Sequence, residues 1–382
     1  MSKKTKKTTE DNRMQWILLF EENSQNKEKE AYFTDYEICS EVRIPGVLEY
    51  GDGSMLCGLL SETDKDGLYS YTIRIKHIQK EYVFDKEKYT KEGYYFQDGL
   101  IGELIAIFSV YFQARFFLKS TISGQLTPTS LQMKYSEPFR YIRPKKIVNH
   151  EMFTNQNRNW AYEDGLKVFL DKLRKIDQKY HQGIIQAFYW YSESVKEAGI
   201  DPELFYIKMV SCIEALLDFI DFPEDNLNEK MLKLLENSEF ESNEKQEIKS
   251  WLKHRKVQQR FLAFIEKYSS GFFRGGNRKA KHCFIKKEEL ADFLKKIYSA
   301  RSGYLHSGKP MYISSDMSGK GSEKWDQDPS LGMSADRRSF GGNEKLPRTR
   351  WFERLGNHCL ISFIDSLVSR KSTSPPQNHQ IS

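Results

Sequence analysis

The chain has 382 residues, 39% of them hydrophobic and 14% aromatic, which leaves room for two domains with substantial cores and excludes disorder throughout. Its formal charge of +6 is modest but unevenly placed. Residues 251–300 carry thirteen Lys and Arg against four Asp and Glu, a pattern that suits either a solvated helix face or a polyanion site.

Five cysteines (Cys39, Cys57, Cys212, Cys283, Cys359) are scattered without zinc-ligand or redox spacing. A reducing, cytoplasmic setting is therefore expected. Residues 1–13 are basic and polar, and no apolar core that fits a signal peptide follows them; a disordered tail is expected there. From 14 to 97 the texture is that of strands. MQWILLF (14–20), EAYFTDY (30–36), SYTIRIKHI (70–78) and EYVFD (81–85) are β-branched or aromatic and are separated by turns such as EYGDGS and ETDKDG. The run at 100–118, LIGELIAIFSVYFQARFFL, has transmembrane length. It contains Glu103, Gln113 and Arg115, so it reads as a buried helix packed on the sheet, with no membrane partner.

These elements make 14–142 an α+β domain, β-rich with one long helix. Residues 143–165 show no sustained period and read as a linker. From 166 the period becomes helical. Leu166, Phe169, Leu170 and Leu173 form one stripe, and Ile184, Phe188, Tyr191 and Val195 a second. A helix over 201–220 opens with Asp201 as N-cap and Pro202 in its first turn. Others are expected over 243–267, 286–306 and from Pro347 to Arg370, the last with Trp351, Leu355, Cys359 and Phe363 on one face. The FYWY run at 188–191 suits core and dimer surface better than a base-stacking platform. Residues 166–370 are thus an all-α bundle, interrupted by a flexible insertion at 307–346 that reads either as a disordered segment or as an active-site lid. Residues 371–382 read as a disordered tail.

An arginine is followed by a histidine after four to six intervening residues at three places: Arg143 and His150, Arg174 and His181, and Arg301 and His306. The first pair lies in the linker and is interrupted by Pro144. The second falls at the polar end of a helix and is expected to face water. Arg301 is different. It lies four residues beyond Ile297 and seven beyond Leu294, on an apolar stripe that Leu305 continues. Glu214 sits in the same way within the stripe of Ile207, Val210 and Leu217. A lone buried charge is costly, so the two are expected to pair if their helices are neighbours. The pair is either a structural salt bridge or part of a polar cleft. On an ideal helix His306 lies about 140° round and about 7.5 Å along from Arg301. The two converge only if Gly303 loosens the helix or SGKP ends it.

SCIEALL at 211–217, IYSARSGYLHSGKP at 297–310 and LPRTRWFERLGNHCLISFI at 346–364 resemble the Apea-like HEPN domain over roughly 166–370. DGLIGELIAIFSVYFQARFFL at 98–118 more loosely resembles the domain that often precedes it. Arg301, Ser302 and His306 meet the family's short motif; the long insertion departs from the family. The resemblance implies an all-α HEPN bundle that binds or cleaves RNA, usually as a homodimer with paired motifs, often as a toxin or effector of anti-phage abortive infection. The N-terminal domain would then be a sensor or regulatory element for a phage-derived trigger. Some members only bind nucleic acid or nucleotides.

The chemistry of an active member needs no metal and no cofactor, because the RNA 2′-hydroxyl is itself a nucleophile. His306 would move protons, Arg301 would stabilise charge on phosphorus, and Glu214 would hold Arg301. Ser302, Tyr304 and Lys309 beside the motif are expected to touch RNA. So are Arg274, Arg278, Lys279 and Lys281 of the basic loop FFRGGNRKAKH, with Lys253, Arg255 and Lys256 nearby and Phe272 or Phe273 stacking on a base. A floppy basic loop without that role is the alternative.

Overall fold

A computed structural model describes residues 13–44, 47–61, 68–78, 99–124, 165–198, 201–220, 229–255, 257–273, 287–311, 334–335, 338–339, 346 and 349–373. The chain divides into two compact units, 1–192 with 364–382 and 193–363. The first holds an antiparallel sheet with helices and the second is mostly helical. An α+β part followed by a helical part is what the periodicity leads one to expect.

In the first unit, strands β1 (Tyr32–Ser40), β2 (Val47–Tyr50), β3 (Met55–Ser61), β4 (Tyr69–His77) and β5 (Phe116–Gly124) lie in the order β2-β3-β4-β1-β5. Their register sets Leu48, Cys57 and Ile73 side by side, with Tyr50, Met55 and Ile75 in the next row on the same face. All six are buried, so this face carries the core. On the opposite face Arg74 pairs with Asp35.

Helix α1 (Gln15–Gln25) corrects one expectation, because MQWILLF is helical. A short apolar run has too little period to separate strand from helix. Glu103 completes the helix start: the backbone N–H groups of Gln15 and Trp16 donate to its two carboxylate oxygens at 3.1 and 3.2 Å. The carboxylate thereby meets the positive end of the helix dipole.

The 100–118 run also divides. Helix α2 (Gly99–Phe112) stops, Gln113 turns at φ 51°, and Phe116 begins β5. Every residue from Ile101 to Val110 is buried, as suits a helix that is apolar all round. Among the described residues no helix is long and apolar enough to cross a membrane. Arg115 pairs with Glu41, Nε to Oε2 at 3.0 Å, and both side chains are almost wholly buried.

The stripes of α3 (Gly165–Lys175) and α4 (His181–Glu197) are buried as their spacing requires. Phe169 of α3 meets Tyr111 with ring centroids 5.5 Å apart, and Ser192 of α4 meets Ser109 at 3.1 Å. These contacts cover α2. His181 overturns its expectation, for it is 2% exposed. Its Nδ1 accepts from the Met14 N–H at 3.4 Å, and its Nε2 lies 3.2 Å from the Ile176 carbonyl. Backbone groups at both ends draw the ring inward.

In the second unit α5 (Pro202–Glu214) starts as expected, with Asp201 accepting from the Leu204 N–H at 3.0 Å, a cap worth about 1 kcal/mol. It ends at Glu214, short of 220, and a single 3-10 turn follows at Leu217–Phe219. Helix α6 (Glu229–Glu236) was not anticipated, and α7 (Ser242–Arg255) and α8 (Val257–Tyr268) replace one helix over 243–267. Lys256 between them lies outside the described residues. Next come α9 (Leu290–Ser307), a two-residue strand pair β6 (Ser334–Ala335) and β7 (Arg338–Ser339), and α10 (Thr349–Thr373).

Trp351, Leu355, Cys359 and Phe363 of α10 are all buried. Gly356 lets α10 approach α5 closely, since a β-carbon there would stand 2.8 Å from the Met209 sulfur. The division between the units falls inside α4 and α10. The stretch expected as a linker, 143–165, lies outside the described residues except for Gly165.

Candidate active site

The last residue of α5 and the third and fourth turns of α9 meet in a polar seam within the second unit. Arg301 donates from Nη2 to Glu214 Oε2 at 2.8 Å, and Tyr298 donates from its hydroxyl to Glu214 Oε1 at 2.9 Å. The Arg301 and Glu214 side chains are 18% and 19% exposed. This is the ion pair expected from two charges on facing apolar stripes, and it is half-open rather than sealed.

Tyr298 was missed by the sequence reading, although its spacing of three from Arg301 places both on one helix face. The Arg301 guanidinium carbon lies 5.7 Å from the centre of the Tyr298 ring, and Phe261 of α8 packs on that ring at 5.5 Å. Burial, and then the charge of Glu214, push the Tyr298 hydroxyl up to about 12. It therefore stays protonated and donates. Residue 260, next to Phe261, is a second residue that was missed, an arginine. Arg260 is 5% exposed and donates from Nη2 to the Leu217 carbonyl and, at 3.0 Å, to Asp218. It ties down the turn that follows Glu214.

Glu214 has both oxygens engaged, so its role is to hold. Among the described residues Arg301 donates a hydrogen bond only through Nη2, and its Nε is buried without a hydrogen-bond partner. A guanidinium with donors to spare suits an incoming phosphate or carboxylate.

His306 stands apart. Helix α9 is continuous through Ser307, so Gly303 does not loosen it. Gly308 then takes φ 60°; its N–H bonds to the Tyr304 carbonyl, and the Lys309 N–H bonds to the Gly303 carbonyl. This is a left-handed helix stop. Arg301 and His306 are thus held about 140° apart in azimuth and about 7.5 Å apart along the axis.

His306 is exposed, and so is Leu305 at 48%. The stripe does not continue to Leu305 as expected. The chain turns back, and Met311, 6% exposed, is the buried residue at that end. Its N–H donates to Glu203 Oε1 at 2.6 Å.

Ser302 and Tyr304, within one turn of Arg301, are partly exposed, and Lys309, just past the helix end, is exposed. Arg274, Arg278, Lys279 and Lys281 lie outside the described residues, as do the side chains of Lys253, Arg255 and Lys256. Phe272 is not available for stacking on a base. It is 7% exposed and packs against Trp351 and His358. Phe273 is partly exposed. Among the described residues, no three His, Cys, Asp or Glu side chains gather as a metal site would require.

No family model, no curated protein and no solved structure matches the chain.

Proposed function

We propose that the chain is a HEPN-type endoribonuclease that cleaves RNA without metal, through attack of the RNA's own 2′-hydroxyl. The observation that carries this reading is Arg301, an arginine held at a half-open helix seam by Glu214 with donors left free. A phosphate is the natural counterpart of such a fork. His306, exposed about one and a half turns further along the same helix, supplies the group that moves protons. A single histidine does not easily act as both acid and base in one step, and here it points away from its own arginine. A two-fold pairing of α9 ends brings the histidine of one copy to the arginine of the other, so the working form is a homodimer.

The place of such an enzyme in anti-phage abortive infection, with the sheet-bearing unit sensing a phage-derived trigger in the cytoplasm, follows from the same family resemblance. The deciding experiment is cleavage of a labelled RNA in excess EDTA. Cleavage is expected to persist, to leave a 2′,3′-cyclic phosphate, and to fail on 2′-deoxy or 2′-O-methyl substrates. His306→Ala should lose roughly 10²–10⁴-fold in rate with RNA binding retained.

The separation of His306 from Arg301 on a continuous helix favours a second reading, a module that binds RNA or nucleotide phosphates without cutting. RNA binding with no cleavage, and equal affinity in wild type and His306→Ala, would establish that reading instead. No RNA binding at all would leave Glu214 and Arg301 as a structural pair in a scaffold.

A further inference from the structure

Glu214 could hold Arg301 by two parallel bonds, from Nε and Nη2, the arrangement that guanidinium–carboxylate pairs favour. It does not. One oxygen takes Nη2 at 2.8 Å, the other is turned to the Tyr298 hydroxyl at 2.9 Å, and Nε is left buried without a partner. Buried donors without partners are few in native structures and call for an explanation. Here the explanation is the tyrosine. Its ring is fixed by Phe261 at 5.5 Å and by its place one turn before Arg301, so its hydroxyl has a constant claim on Glu214.

We propose that Tyr298 is a positioning residue that confines Glu214 to a single bond with Arg301, leaving the guanidinium free to turn its Nε edge to a phosphate oxygen of the RNA. The proposal rests on the reading of Arg301 as the phosphate-binding group. A guanidinium held by one bond pivots about it, whereas one held by two is locked in plane with the carboxylate. Tyr298 thus sets how firmly the arginine is tied. The unsatisfied Nε of the free protein finds its partner when the phosphate arrives.

Tyr298→Phe tests this, because it keeps the ring, its contact with Phe261 and its stacking on Arg301, and removes only the hydroxyl. Glu214 is then expected to close on both Nε and Nη2. Three consequences follow together. The Arg301 Nε–H, assigned by NMR as the resonance lost in Arg301→Lys, exchanges with water more slowly than in wild type. The thermal midpoint does not fall. The affinity for a non-cleavable 2′-O-methyl RNA drops roughly tenfold, about the worth of one charge-assisted hydrogen bond.

A merely structural tyrosine gives the opposite pattern. A lower midpoint or loss of fold, with Nε exchange unchanged or faster, overturns the proposal. So does slower exchange with undiminished RNA affinity. Wild-type protein that binds no RNA refutes the function proposed above. Nε exchange in Tyr298→Phe then decides alone whether the tyrosine governs how Arg301 is tied.

Discussion

The side chain of Lys309 lies over Gly303, so that a β-carbon built on the glycine would meet it at 3.8 Å. That is ordinary van der Waals contact, and Gly303 has no positive φ. Nothing in the fold requires a glycine there, and an alanine should stabilise α9 by about 0.5–1 kcal/mol. Gly303→Ala is therefore expected to raise the urea midpoint. If the continuous helix is the working form, RNA cleavage should also survive. A lower midpoint would mean that the helix opens at Gly303 in the native state.

The parts that sequence made legible share a physical cause. Glu214 and Arg301 stand out because each breaks a long apolar period, and a charge in a stripe must find a partner. The stripes of α3, α4 and α10 are equally plain, since several turns of one period leave a single buried face. What escaped was local or non-periodic. MQWILLF is too short to declare a helix. The switch from α2 to β5 depends on one left-handed residue, Gln113. His181 is drawn inward by backbone groups of Met14 and Ile176, distant or non-helical partners that no spacing rule reveals. Tyr298 shares a face with Arg301, yet an aromatic residue on a helix face signals core before it signals a site.

Glu41 and Arg115 form the most deeply buried ion pair described, with side chains 3% and 1% exposed. Glu41→Gln leaves the arginine's charge uncompensated in the core and should cost about 3–5 kcal/mol. Replacing both, as Glu41→Gln with Arg115→Met, should restore much of that loss. Urea unfolding of the three variants measures it. A double variant no more stable than Glu41→Gln would show that Arg115 contributes chiefly through packing.

His77 gives the first unit a pH dependence. It is 8% exposed, both ring nitrogens lack hydrogen-bond partners, and burial lowers its pKa from 6.5 to about 4. Between those values the unfolded chain binds a proton that the folded chain excludes. The contribution of His77 is therefore complete above about pH 6.5 and is lost as pH falls toward 4. The limiting slope for one proton is about 1.4 kcal/mol per pH unit. His77→Phe should remove this component, so the stability difference between wild type and variant should change between pH 7 and pH 5. A constant difference across that range would place the titration elsewhere.

Mixing two inactive variants tests whether the site is shared between copies. Arg301 and His306 diverge on one continuous helix, so a site assembled by two-fold pairing takes its arginine from one copy and its histidine from the other. Arg301→Lys and His306→Ala homodimers would each lack one group at every site. A heterodimer of the two would carry one site with both groups mutated and one with both groups intact. Random exchange makes about half of the dimers mixed, so roughly one quarter of wild-type activity should return on mixing. A site built within one copy predicts no recovery, because each chain of the heterodimer still lacks its own arginine or its own histidine. Subunit exchange must be verified by mixing differently tagged wild-type chains, and cleavage is then read in EDTA on the same RNA. Recovery near one quarter would assign His306 to its neighbour's arginine. Activity no greater than the mean of the two homodimers, despite proven exchange, would require the divergent pair to work in cis and would remove the geometric reason for the dimer.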